Sequence, residues 1–381
     1  MTVANAHSMR GALVRPDWPQ LTLDEVQEVL ILAGFEHSDA RLLWHSPRPL
    51  SAAAIVDLPD RRLFVKRHHQ SVRTATQLQE EHGFIAHLHA HGAPVSRVLL
   101  TADGQSAIAC GGWTYEMHEV GAGTDLYRDA VSWSPFVGRA HAVAAGRALA
   151  QFHEAARHYE APARATRLLV SNDLIIRSAE PLAAVRRRFD ELPALRGYLQ
   201  QHDWQTDLAR AIAPFHEDYL ALAPRLDPLW THNDWHASNL LWSDASAAAT
   251  VQSIFDFGLS DRTTAVYDLA TAIERNTIPW LDIHEGIPGA ADFSLVTGLL
   301  EGYLGARSLT PLERAALPAT LPLVHVGLAL TEIDYFHGVT HSAENAELAY
   351  RAFLLGHCDW FLQPEGRALL EHIRRQLQTL P

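Results

Sequence analysis

The stretch from Trp230 to Asp268, WTHNDWHASNLLWSDASAAATVQSIFDFGLSDRTTAVYD, constrains this chain more than any other. His232, Asp234 and Asn239 stand in the order H-x-D-x-x-x-x-N, and the apolar run Val251 to Phe255 leads into Asp256-Phe257-Gly258. Leu240, Leu241 and Trp242 read as a short strand and Ser243 to Ser246 as a turn. Val251, Ile254 and Phe255 read as the return strand. Such a hairpin brings Asn239 and Asp256 together at its open end. An amide oxygen and a carboxylate, both hard donors suited to Mg²⁺, then lie close in sequence to a second carboxylate, Asp234.

An H-x-D loop followed by an apolar strand and D-F-G is the layout of a kinase catalytic loop with its metal-binding motif. Phosphoryl transfer to a hydroxyl needs a carboxylate at the incoming oxygen, for which Asp234 is the candidate. It also needs oxygen ligands on Mg²⁺, for which Asn239 and Asp256 are the candidates. The stretch resembles the aminoglycoside phosphotransferase and choline kinase superfamily of small-molecule kinases, and its H-N-D opening is most similar to the choline and ethanolamine kinases. Tyr267-Asp268-Leu269-Ala270 is similar to the Y-D-L-A that begins the next helix throughout that superfamily. The resemblance implies an α+β, bilobal, protein-kinase-like fold. Residues 1–120 would form a small lobe built on an antiparallel sheet, and residues 121–381 a helical large lobe with catalytic loop 230–242 and D-F-G 256–258. It also implies ATP and Mg²⁺ as cofactors, an Asp268 that braces the catalytic loop, and a His232 packed beneath it.

The rest of the chain can be placed on that plan. Met1 to Pro19 reads as a loose polar arm. Thr22-Leu23-Asp24-Glu25 is a capping box, and Gly34 ends the helix it opens. Apolar bursts at Leu42 to Trp44, Ala52 to Leu58 and Leu63 to Val65 read as three antiparallel strands. The tip between the first two, Ser46 to Ala52, contains no glycine, so a phosphate cradle there relies on backbone N–H groups and Ser51. Phe64-Val65-Lys66 resembles the V-A-I-K of protein kinases, which puts Lys66 on the α- and β-phosphates. Glu81, on the next helix, is the expected partner of Lys66, with Glu80 a solvated neighbour. Val95 to Leu100, Ser106 to Cys110 and Trp113 to Val120 read as further strands, and Gly121-Ala122-Gly123 as a hinge. Kinases hold the adenine edge at this place. The backbone of Met117, His118 and Glu119 is therefore the candidate contact, above an apolar floor of Leu241 and Phe255. From Val137 the chain turns helical. Gly146 to His153 is similar to the superfamily's G-x-x-L-A-x-x-H, and more helices are expected in Ser171 to Leu199, in Trp204 to Leu222 and beyond Ala270.

Composition narrows the partners. With 381 residues, 48% apolar and 20% charged, the chain is an ordinary soluble globule long enough for a sizeable core. A net charge of −13 argues against nucleic acid or an anionic membrane and suits a cationic substrate. Cys110 and Cys358 fall in no metal spacing, and no apolar leader or spanning segment stands out, so a cytoplasmic home with no membrane partner is expected. The expected partner is a small hydroxyl-bearing acceptor: an amino alcohol, choline-like compound, amino acid, aminoglycoside or sugar. Trp235 and His236, then Glu274 and Arg275 on the next helix, then Asp334 and Tyr335 are the candidate acceptor residues. Aromatic rings beside carboxylates can cage an ammonium group. The oligomeric state is left open. Two alternatives compete. His232, Asp234 and His236 could serve a metal-dependent hydrolase, which leaves Asn239 and the D-F-G without a role. A catalytically degenerate kinase fold could act as a binding module, favoured by the glycine-free loop and opposed by the retained base, metal ligands and lysine. No G-x-x-x-x-G-K-[ST] is present, which argues against a P-loop enzyme.

Overall fold

In the computed structural model, which describes residues 5–7, 10–35 and 39–380, a five-stranded antiparallel sheet carries the first part of the chain. Its strands are β1 (Arg41–His45), β2 (Ala52–Asp57), β3 (Arg62–His69), β4 (Ile108–Cys110) and β5 (Trp113–Glu119), in the order β1-β2-β3-β5-β4. β2 and β3 are in continuous register from Ala52↔Arg67 to Asp57↔Arg62, so alternate side chains face one way. Ala54, Val56, Leu63, Val65 and Met117 thereby meet Val26, Val29 and Leu30 of helix α1 (Leu23–Ala33) in a small core of their own. Thr22 and Glu25 form the capping box of α1, and Gly34 ends it at φ 83°, a left-handed conformation natural to glycine. Helix α2 (Ala75–Ala90) covers the opposite side and joins the larger core.

After β5 the chain crosses to the helical part beside the catalytic hairpin. Thr124 and Trp242 exchange backbone hydrogen bonds of 2.7 and 2.9 Å. Gly123 is required there: it sits at φ 108°, and a Cβ on it would lie 2.9 Å from the Trp242 carbonyl oxygen. The large lobe is built on helix α3 (Arg139–Ala156), packed backbone to backbone on the Phe293–Leu304 helix. A Cβ at Gly146 would fall 2.0 Å from the Leu299 carbonyl oxygen, and one at Gly302 1.9 Å from that of Val143, so only glycines permit the crossing. The helical run Pro311–Val339 is long and apolar enough to cross a membrane by length and composition, but 94% of its most apolar window is buried inside the fold, where it serves as core.

Three sequence expectations change. Val95 to Leu100 is not a strand. It makes only isolated bridges, Val95 to Ile254 and Val98 to His118, because it runs over the seam between the sheet and the catalytic hairpin. Ser171 to Ser178 is a series of turns, and the helices of that insertion are Pro181–Arg187, Pro193–Leu199 and Trp204–Leu222. The N-terminal arm is anchored where it is described. Ala6–His7 pairs with Leu13–Val14, the Trp18 ring stacks on His69 at 5.2 Å, and its indole N–H donates to the Tyr335 hydroxyl at 3.1 Å. Residues 1–4, 8 and 9 of that arm lie outside the described residues.

Candidate active site

The catalytic loop is held by backbone bonds to one carboxylate. Strand Pro228–Thr231 pairs antiparallel with Asp261–Thr264, which leads directly into the Ala265–Thr277 helix. Asp268, wholly buried in the first turn of that helix, accepts the N–H groups of His232 at 2.9 Å and Asn233 at 2.8 Å. Asn233 occupies the left-handed region at φ 59°, and its side-chain amide donates to the Ser171 carbonyl at 2.9 Å. His232 Nδ1 accepts the Asp234 N–H at 3.2 Å. Its Nε2 therefore carries the proton and donates to the Phe255 carbonyl at 3.1 Å. Both ring nitrogens are spent on the backbone, which removes His232 from any metal triad with Asp234 and His236.

Asp234 stands in this loop with both oxygens engaged. Arg275 donates to Oδ1, the Asn239 amide donates to Oδ2 at 3.0 Å, and His236 Nε2 lies 3.6 Å from Oδ2. Burial opposes the carboxylate, but Arg275 and then His236 outweigh it and hold the group well below the usual aspartate range. Each oxygen keeps a lone pair for a further donor. Because both Asn239 bonds come from Nδ2, to the Asp234 backbone and side chain, its Oδ1 remains the acceptor end of the amide. The hairpin pairs Leu240 with Ile254, and Asn239 and Asp256 line one cleft, the latter at φ 60°.

On the nucleotide side, Lys66 Nζ donates to Asp256 Oδ1 at 2.8 Å. Burial opposes the ammonium, yet the carboxylates of Asp256, Glu116 and Glu81 outweigh it and raise Lys66 above the ordinary lysine range. The same pair holds Asp256 below its ordinary value against burial. Lys66 and Glu81 line the same cleft but form no ion pair in this structure, which departs from the expected pairing. Arg164, buried in the chain between α3 and the Pro181–Arg187 helix, places Nη1 3.3 Å from Glu81 Oε2. Glu80 is not a solvated neighbour either, since its Oε1 accepts the Ala165 N–H at 3.2 Å. Glu116 instead sits opposite Lys66 in the sheet and takes hydrogen bonds from His68 and His82 at 2.8 Å and His118 at 2.9 Å.

The cleft wall is made by His118, Glu119, Leu241, Phe255 and Ser51. Met117 is not part of it. Strand alternation turns its side chain into the small core, and its carbonyl accepts the Leu99 N–H at 2.8 Å. Glu119 has likewise spent its N–H on Arg97. Sequence reasoning missed Arg48. It projects from the glycine-free tip, donates to the Ala130 carbonyl at 3.0 Å and feels Asp125, Asp256 and Asp234. It lines both the nucleotide cleft and the adjoining pocket. The one available signal was a lone cation at the expected phosphate-covering tip.

That adjoining pocket is lined by Asp234, His236, Arg275, Trp133, Leu328 and Glu332 among others. Burial pushes the Glu332 carboxyl up to about 7, against the pull of Arg275. Four expected acceptor residues lie elsewhere. Trp235 is wholly buried between Phe152 and His232. Glu274 is buried behind Arg275, 2.8 Å from His357. Asp334 Oδ1 accepts the Leu195 N–H at 2.7 Å, and Tyr335 donates to Asp17 at 3.0 Å. The catalytic loop turns Trp235 inward, and in the other three cases the helix carrying the residue turns that face into the core or onto the arm.

A kinase-like fold with these groups in its cleft defines a class, and sequence comparison gives the family. The chain belongs to the phosphotransferase enzyme family, whose model matches residues 51–315. It is a phosphotransferase acting on hydroxyl acceptors. A protein of Deinococcus radiodurans is 29% identical over 279 residues, 71% of each chain. Among solved structures, the microcompartment-associated aminopropanol kinase is similar with a TM-score of 0.61 and 18% identity, covering 93% of this chain and 100% of that one. The amicoumacin kinase in complex with AMP-PNP, Ca²⁺ and Ami gives a TM-score of 0.58 at 15% identity, over 88% of this chain and 92% of that one. The Plasmodium vivax ethanolamine kinase gives 0.55 at 13%, over 88% and 87%. These likenesses are of fold.

Proposed function

We propose that this chain transfers the γ-phosphoryl group of ATP, as its Mg²⁺ complex, to the hydroxyl of a small acceptor that also carries a protonated amine. The observation that carries the proposal is the Asp234–Asn239–Asp256 constellation: one ionised carboxylate on the acceptor side, one on the nucleotide side, and an amide bonded to the first. Asn239 Oδ1 and Asp256 are hard oxygen donors in one cleft and fit Mg²⁺, which when bound would neutralise phosphate charge.

Asp234 accepts the acceptor's hydroxyl hydrogen through a remaining lone pair and takes its proton late, since a loose transition state needs no strong base. Lys66 exchanges Asp256 for phosphate oxygens. Arg48, between the two halves of the cleft, supplies the positive charge that a glycine-rich loop would supply through its backbone. For the amine, Glu332 is the chosen partner. It is a buried carboxyl whose ionised form a bound cation would favour, with the Trp133 ring in the same pocket. The fold relatives named for aminopropanol and ethanolamine support that choice of acceptor class.

The test is an ATP-consumption screen over small amino alcohols and other hydroxyl metabolites, with Asp234→Ala as blank. A phosphorylated amino alcohol formed only by the unsubstituted protein is expected. Equal product from the blank, or acceptors that are exclusively uncharged sugars, would overturn the base or the amine assignment respectively.

A further inference from the structure

Two buried glutamates in this molecule are each surrounded by histidines, and they differ in one respect. Around Glu116 the carboxylate oxygens are matched to donors on His68, His82 and His118. Around Glu274 they are not. Glu274 Oε1, His325 Nδ1 and His357 Nδ1 are all buried and have no hydrogen-bond partner. The side chains are 3%, 5% and 2% exposed. Glu274 Oε1 and His357 Nδ1 approach to 2.8 Å outside hydrogen-bonding geometry, and one ligand atom from each of the three residues lies within 4.8 Å of the others. Three buried ligand atoms at this spacing, outside hydrogen-bonding geometry, can be shared by one cation.

We propose that Glu274, His325 and His357 form a site for one zinc-class divalent ion, distinct from the Mg²⁺ position of the cleft. Two imidazole nitrogens and one carboxylate oxygen suit a borderline ion such as Zn²⁺ better than Mg²⁺, which prefers oxygen. The donors come from three segments distant in sequence: the Ala265–Thr277 helix, the residue before the Val326–Asp334 helix and the His357–Phe361 helix. The surrounding groups orient the rings. His357 Nε2 lies 3.0 Å from His284 Nε2, and the His357 ring stacks on Trp280 at 3.6 Å. The ion would add to the positive charge that Arg275, 4.0 Å from Oε2, already places beside the Glu274 carboxylate. It would also fix the helix that carries Arg275, the residue bonded to Asp234, and so act as a positioning site.

The test uses untagged full-length protein, so that no affinity tag contributes histidines. After extensive dialysis, elemental analysis should find about one equivalent of zinc per chain. Stripping with a strong chelator and adding Co²⁺ should give the visible absorption of a low-symmetry cobalt site. His325→Gln and Glu274→Gln should each lose the zinc and the absorption, whereas Asp256→Asn, in the cleft, should keep both. Stripped protein should melt at lower temperature and recover with Zn²⁺ but not Mg²⁺. If protein stripped and titrated with Zn²⁺ or Co²⁺ shows neither bound metal, absorption nor a melting shift, or if His325→Gln binds as much as the unsubstituted chain, the site does not exist. Loss in Asp256→Asn alone would place the metal in the cleft and equally overturn the proposal.

Discussion

Asp256 and Asp234 both line the pocket that adjoins the nucleotide cleft, but the first is paired across the lobes and the second within one. Lys66 reaches Asp256 from the sheet at 2.8 Å, with side chains 10% and 40% exposed. Arg275 reaches Asp234 from the neighbouring helix, with side chains 6% and 14% exposed. With its carboxylate partner open to solvent, this bridge between lobes can exchange Lys66 for a metal, which is what a metal ligand facing an incoming nucleotide needs. A buried bridge within a lobe is hard to break from one side, because removing either partner strands a charge. The nucleotide half is therefore built to swap partners, and the acceptor half to hold one carboxylate ionised.

That contrast can be broken by substitution. Arg275→Met should have the largest effect on folding, a loss on the order of 3–5 kcal/mol measured by urea denaturation, because Asp234 is left buried without its guanidinium partner. In that variant the Asp234 pKa must rise, so the acid limb of the turnover profile should move toward neutral pH. Lys66→Ala should cost less stability than Arg275→Met, because the Asp256 left behind is reached by solvent, and should weaken Mg·ATP binding by about 1.5–3 kcal/mol in a titration. Its coupling in a double-mutant cycle should be with Asp256 rather than Glu81.

Glu332 gives a pH signature. Its folded pKa, about 7, exceeds the ordinary 4.5, so the folded state keeps a proton that the unfolded chain releases. Stability from this group is fullest below the ordinary value, falls as pH rises toward about 7 and then levels. Melting curves across that range should be flatter for Glu332→Gln. Arg48→Ala should have the smallest effect, about 1 kcal/mol of nucleotide affinity, read by the same titration.

The catalytic side was legible because its parts are local. Asn239 and Asp256 are joined by a short hairpin, and the Asp268 brace lies one helical turn beyond strand Asp261–Thr264. The partner of Lys66 was not legible. Glu81 stood at a plausible spacing, but Arg164 comes from an irregular segment whose path no periodicity reports, and it claims Glu81. Met117 was expected to offer its backbone, but the segment crossing β5 already takes its carbonyl through the Leu99 N–H. The acceptor side was the least legible. Trp133 and Glu332 line the pocket from a loop and a distant helix, whereas Trp235, Asp334 and Tyr335 face away from it.

The central claim, that Asp234 serves the acceptor while Lys66 and Asp256 serve the nucleotide, is tested most directly by Asp234→Asn. With an acceptor identified in the screen, turnover should fall by at least about 10²-fold while the thermal stabilisation by ATP and Mg²⁺ persists. Phosphorylation of that acceptor at close to the unsubstituted rate would contradict it.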